Sequence, residues 1–303
     1  MITLERFIAG SDLVHRRDPG PTTLSTEEAA ITRRIRRANP SFFWSTRPLP
    51  AARRDAMQAL YFFSRELCEI ADGNTSRTLK LALLTDWRTQ IGLLYARRPQ
   101  HFVTRALSDA VERFDLRCAD FLSIIDGVEA DASTDIRAPS LEQLDLYCEQ
   151  RSMAVIRIAL RILGAPQADA DQVAAALGRG IVLTGILRDL TQDARQHRLY
   201  LPRELLQAHG IFATMPSYVL AQSALPQVCS PLAERAADWF ADAEDALEGR
   251  SRWRMAAATA ILSGYRRLLR ALLVRGWNCL DEPVRLPAWC RPALAIGHGL
   301  IAR

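Results

Sequence analysis

Apolar residues recur at intervals of three and four through almost the whole 303-residue chain. Nowhere does a run of alternating β-branched residues last long enough to build a sheet. That period fixes the fold class as all-α. Apolar repeats at helical spacing run over 79–96, 103–113 and 117–129. Ser140 with Gln143 marks the start of a helix over 141–163, which Gly164 and Pro166 terminate. The next runs from about Asp169 to Asp193, after which Tyr200-Leu201-Pro202 turns the chain. Three more helices are expected at 230–247, 252–275 and 288–300. Earlier in the chain, Ser25 with Glu28 makes a capping box that opens a basic helix ending at Arg37. Pro40, Pro48 and Pro50 then break the chain before a helix that Gly73 and Asn74 end. Residues 1–24, with Pro19, Gly20 and Pro21, are expected to form an irregular lead-in to one helical domain over 25–303.

Composition narrows the function classes. With 49% hydrophobic residues, a chain of this length buries a large core. No stretch of 18 uncharged apolar residues is present, so a membrane-spanning helix is not expected. The first residues lack a long apolar segment and a small-residue cleavage site, which argues against a secretory signal. Net charge is +5, carried by arginine, since Lys80 is the only lysine. No helix-turn-helix, zinc or RNA-binding signature accompanies that charge, so nucleic acid is not the expected partner. Cys68, Cys118, Cys148, Cys229, Cys279 and Cys290 include no Cys-x-x-Cys pair, and the five histidines form no ligand cluster. They read as reduced, mostly buried thiols of a cytoplasmic protein.

One segment carries chemistry. In TGILRDLTQDARQHRLYLP (184–202), Asp189 and Asp193 lie four residues apart, which stacks two carboxylates on one helix face. Arg188 precedes them, and Arg198 and Tyr200 follow. Taken alone, such spacing more often marks a solvated acidic patch. Here it interrupts the apolar series Ile181, Val182, Leu183, Ile186, Leu187 and Leu190, so a largely buried helix carries it. Two like charges in such a place need a cation to share, and neighbouring arginines suit a phosphate-bearing ligand.

This segment resembles the second aspartate-rich motif of the squalene and phytoene synthase family. LPAARRDAMQALYFFSREL (49–67) resembles the family's first core helix, with Tyr61 and Arg65 at its aromatic and arginine positions. LEQLDLYCEQRSMAVIRIALRILG (141–164) is similar to its Tyr-Cys helix, and YRRLLRALLVRGW (265–277) to its late helix. FLSIIDGVEAD and VRLPAWCRPALAIGHGL resemble the hopanoid-pathway branch. The resemblance spans roughly residues 30 to 302 and rests on the order of the blocks, not on any one of them. It implies a single-domain, isoprenoid-synthase-type helical bundle around a central apolar cavity. It also implies Mg²⁺ held by Glu69, Asp72, Asp189 and Asp193. Tyr61, Arg65, Arg188 and Tyr200 would be catalytic, and Arg65, Arg188, Arg198 and Tyr265 would bind the substrate diphosphate.

The chain departs from that pattern at three places. Cys68, which would then face the carboxylates, stands where the first motif has its leading acid, Gly185 where the second has an asparagine, and Val182 where a glutamine precedes it. Two functions follow. One is a prenyltransferase that joins two farnesyl diphosphates head to head into presqualene diphosphate. The other is a catalytically impaired or dead relative serving as a prenyl-diphosphate-binding, assembly or scaffold protein. Prenyl substrates dissolve poorly in water, so docking at the inner membrane face is a further expectation. Arg33, Arg34, Arg36 and Arg37, with the apolar segment from Leu286 to Leu300, offer a surface for it. That segment reads equally as a core helix, and those arginines as a solvated face. Oligomeric state stays open.

Overall fold

The computed structural model describes residues 24–73, 75–133, 136–287 and 290–301. The expected irregular lead-in up to residue 23, the side chains of Ser25 and Glu28, and Asn74 lie outside the described residues. Thirteen helices are present among the described residues. In chain order they are α1 (Leu24–Ala38), α2 (Pro40–Thr46), α3 (Ala51–Asp72), α4 (Arg77–Tyr95), α5 (Phe102–Arg113), α6 (Cys118–Ser133) and α7 (Leu141–Leu163). There follow α8 (Gln167–Arg195), α9 (Arg203–Ala208), α10 (Pro216–Leu220), α11 (Leu225–Asp245), α12 (Ala256–Arg275) and α13 (Arg291–Ile301). The only β pairing among the described residues is one parallel bridge, between Arg137 and Leu199.

Local chemistry accounts for the ends of α7. The Ser140 hydroxyl accepts from the Gln143 backbone while the Gln143 side chain accepts from the Ser140 backbone, the reciprocal cap read from the sequence. Gly164 closes the helix at φ 110°, a left-handed position that other residues adopt only with strain. Elsewhere the expectation needs correction. The segment from Pro40 is not merely broken chain. The Asn39 side chain accepts from Phe42 N at 3.0 Å, and Pro40 takes the first helical position, where its missing N–H costs nothing. The short helices α9 and α10 also went unread, since neither is long enough to display a period.

The 29-residue α8 is the central element, with Val173, Leu177, Ile181, Leu183, Leu187 and Leu190 all buried. It packs most extensively on α7 and α11, and also against α12. An ion cluster fastens α8 to its neighbours. Arg157 on α7 reaches buried Asp120 on α6 at 3.1 Å and Asp171 on α8 at 3.2 Å. Arg117 adds a 2.7 Å contact to Asp171.

The C-terminal segment is structural. Helix α13 packs against α2, α3, α7, α8 and α12, with Ala295 and Gly297 buried. This favours the core-helix reading of Leu286 to Leu300 over a free membrane-facing one, because its apolar side is already covered. Arg33, Arg34, Arg36 and Arg37 are exposed on α1, where the Arg34 guanidinium lies 4.6 Å from the Phe62 ring centroid. No helix of the described residues is long and apolar enough to cross a membrane.

Candidate active site

A small cavity of about 80 Å³ opens beside the C-terminal half of α8. Ile181, Val182, Gly185, Ile186, Arg188, Asp189, Gln192, Asp193 and Gln196 line it from α8. Tyr147 and Arg151 line it from α7, Tyr265 from α12 and Gly297 from α13. Of the residues singled out from the sequence, it therefore gathers Arg188, Asp189, Asp193 and Tyr265, together with the departures Val182 and Gly185. A side chain added at Gly185 would meet nothing within 4 Å. The site has room where the family pattern places an amide.

The helix bends at the motif. Asp189 adopts φ −100° and ψ 15°, outside the helical region and in the bridge region where active-site residues are often held. Two residues earlier, the Leu187 carbonyl accepts from the Trp277 indole at 3.1 Å, so a side chain from beyond α12 satisfies an acceptor beside the bend. The bend sets Arg188 and Asp189 in a fork. Arg188 Nε donates to Asp189 Oδ1 at 2.7 Å and Nη2 to Oδ2 at 2.5 Å. Burial alone would lower the Arg188 guanidinium, but the Asp189 carboxylate holds it above its usual value.

Asp193 is buried, with 8% of its surface exposed. Burial first, then the charge of Asp189, push its carboxyl up to about 7, against the pull of Arg198 and Arg188. Asp72, at the end of α3, adds to that push. Asp72 itself takes Arg198 Nη2 at 2.7 Å, so the two acidic segments meet across the site through an arginine. Arg198 also donates to Gln196 at 3.0 Å.

Other expected residues stand further back. Glu69 has a side chain 60% exposed, 3.7 Å from Arg65 one turn earlier on the same helix. Neither lines the cavity. Tyr61 is buried and stacked on Phe42 at 4.5 Å between centroids, with burial raising its phenol. Tyr200 is buried with its ring 5.2 Å from Tyr147, and it lines a neighbouring cavity of about 370 Å³ that Tyr147 also borders. Tyr265 is buried and its phenol is raised, chiefly by burial. Cys68, expected to face the carboxylates, instead lies 3.2 Å from the Arg151 guanidinium. His197, at φ 59° in the turn after α8, is exposed.

Sequence reasoning missed Tyr147, Arg151, Gln192 and Gln196. A signal for them existed. Tyr147 and Arg151 are four residues apart on α7, and Gly185, Asp189, Gln192 and Gln196 continue one face of α8 in steps of four and three.

An all-helical bundle whose central helix presents paired aspartates and an arginine to a cavity is built on the isoprenoid-synthase plan. A family model for squalene/phytoene synthase matches residues 35–290, and the chain belongs to that family. It is 39% identical over 261 residues to a presqualene diphosphate synthase of Sinorhizobium fredii, covering 86% of this chain and 93% of the relative. It is 40% identical over 261 residues to the protein of the same name from Rhodopseudomonas palustris, with the same coverage. Among solved structures, a dehydrosqualene synthase bound to a ligand superposes with a TM-score of 0.73 at 25% identity, over 90% of this chain and 95% of the other. A squalene synthase from Alicyclobacillus acidocaldarius, at 20% identity, shares the fold with a TM-score of 0.73, over 86% of this chain and 97% of the other.

Proposed function

We propose that this chain condenses two farnesyl diphosphate molecules head to head into presqualene diphosphate, releasing pyrophosphate. The observation that carries the reading is the cavity itself. Asp189, Asp193 and Arg188 converge on it, in a chain 39–40% identical to two presqualene diphosphate synthases along most of their length.

The residues present fit magnesium, provided that it arrives with the substrate. Among the described residues, no three acidic, histidine or cysteine side chains already converge to hold an ion. Magnesium does not need such a cage, because it is usually held by one or two carboxylates with phosphate and water completing the octahedron. Asp193 is a buried carboxylate beside the charge of Asp189, and its oxygens are the hard donors that magnesium prefers. Asp189 and Asp193 would hold the ion from α8 and Asp72 from α3. Exposed Glu69 is the least suited of the four. Magnesium held there would supply positive charge that offsets the diphosphate's negative charge and makes it a better leaving group.

The side chains divide the remaining work. Arg188, paired with Asp189, and Arg198, paired with Asp72, would meet phosphate oxygens once those carboxylates turn to a cation. Arg65, two turns before the end of α3 and outside the cavity lining, would supply a third guanidinium. Tyr265 and Tyr147 line the cavity, and their aromatic rings would shield the allylic cation left when the diphosphate departs. Ile181, Val182 and Ile186 keep the prenyl chain away from water. Purified protein given farnesyl diphosphate and Mg²⁺ is expected to release pyrophosphate and form a C30 diphosphate. Intact substrate binding without turnover of C15 or C20 diphosphates would sink the proposal.

One observation favours a second reading, a prenyl-diphosphate-binding relative without turnover. Cys68, Val182 and Gly185 supply no hard ligand, and the Cys68 thiol contacts an arginine. The triple variant Cys68→Asp, Val182→Gln, Gly185→Asn separates the two. Activity appearing only in the variant supports the binding protein, and activity in the natural chain removes it.

A further inference from the structure

Two guanidinium groups line the cavity, one from the aspartate motif and one from α7. Arg188 is engaged in its fork with Asp189. Arg151 comes from the middle of α7, lines the same cavity, and brings Nη2 to 3.2 Å from Cys68 Sγ. Cys68 is buried, and it stands where an acidic first motif would begin. A carboxylate there would bring a formal negative charge and hard oxygens for a divalent cation. A thiol brings no formal charge, accepts hydrogen bonds weakly and is a poor magnesium ligand. The two residues thus alter this corner of the site in the same direction, one withholding a negative charge and the other adding a positive one. A guanidinium in that position offers a diphosphate directly what a carboxylate could offer only through an ion, with a planar fork matched to phosphate oxygens.

We propose that Arg151 is a diphosphate-binding residue of this site, contacting phosphate itself, so that part of the diphosphate affinity is independent of metal. This rests on the function proposed above and adds to it the means by which the α3 side of the site works without its leading acid.

Calorimetric titration of the full chain with inorganic pyrophosphate, in EDTA and in Mg²⁺, tests the idea. The natural protein is expected to bind pyrophosphate in EDTA. Arg151→Gln should weaken that binding at least about tenfold, the worth of one charged hydrogen bond, and weaken binding in Mg²⁺ by less. Cys68→Asp, which sets a carboxylate against the guanidinium, should make binding depend on Mg²⁺. Natural protein that binds pyrophosphate only with Mg²⁺ overturns the inference and leaves the proposed function standing. So does an Arg151→Gln variant that melts like the natural chain and keeps its affinity in EDTA. If Arg151→Gln does not fold, the natural protein in EDTA and Cys68→Asp decide the matter. Failure to bind farnesyl diphosphate even with Mg²⁺ would overturn both.

Discussion

The sharpest mechanical test of the site is Gly297→Ala. A Cβ at this position on α13 would lie 2.6 Å from Tyr265 Cε2, 2.9 Å from its hydroxyl and 3.1 Å from Cζ. Ordinary contact begins near 3.4 Å, so the ring must retreat by about 0.8 Å. Tyr265 is 2% exposed and packed on its other sides, which leaves the cavity it lines as the direction of retreat. Overpacking of this kind costs roughly 1–3 kcal/mol. For a domain of this size, that lowers the melting temperature by roughly 2–10 °C. The displaced ring should also raise KM for farnesyl diphosphate, because it moves into the substrate's space. Thermal and urea denaturation measure the first effect, and steady-state kinetics the second. In the double variant Gly297→Ala, Tyr265→Leu, much of the lost stability should return, since the shorter side chain vacates the clash. If Gly297→Ala melts within 1 °C of the natural protein with an unchanged KM, the close packing of α13 on Tyr265 does not shape the cavity.

Further outcomes follow from the same structure. Arg188→Lys keeps the charge but loses the fork, so pyrophosphate affinity should fall about fivefold or more; equal affinity in the calorimeter would confine Arg188 to its internal pair with Asp189. Trp277→Phe leaves the Leu187 carbonyl beside the bend without its indole donor and should cost about 1–3 kcal/mol in urea denaturation, and an unaltered midpoint would dismiss that bond as a support of the bend. Burial pushes the Glu66 carboxyl up to about 7 and holds His101, 3.8 Å away, down to about 4. A raised acid means that the folded state binds the extra proton, so Glu66 costs stability as pH climbs from about 4.5 through 7, whereas lowered His101 costs stability as pH falls from about 6.5 to 4. Glu66→Gln removes only the first cost: it should match the natural protein at about pH 4 and exceed it by up to about 3 kcal/mol at about pH 8, and a stability difference independent of pH would refute the buried charge.

Much of this was legible in the sequence, and the reasons differ by element. The caps of α7 could be read because Ser140, Gln143 and Gly164 act within a few residues of themselves. The α8 pair could be read because four-residue spacing on an apolar helix is a local pattern with one geometric meaning. Legibility failed where partners lie far apart. The contact from Cys68 to Arg151 spans 83 positions and that from Asp72 to Arg198 spans 126, and no local pattern encodes either. The expectation that Cys68 would face carboxylates assumed that a replaced residue keeps its predecessor's neighbours. Glu69 was chosen for its type, and its exposure could not be known without the packing of α3. The bend at Asp189 also escaped, because its support comes from Trp277, 90 positions away from the carbonyl it meets.

The placement of the motif on α8 has a dynamic consequence. The same helix that carries Arg188, Asp189 and Asp193 forms the spine of the core, so these residues cannot be released by fraying a surface loop. Their amides should exchange with solvent only through openings that dismantle the packing of α7, α11 and α12 around that spine, at free energies close to global unfolding.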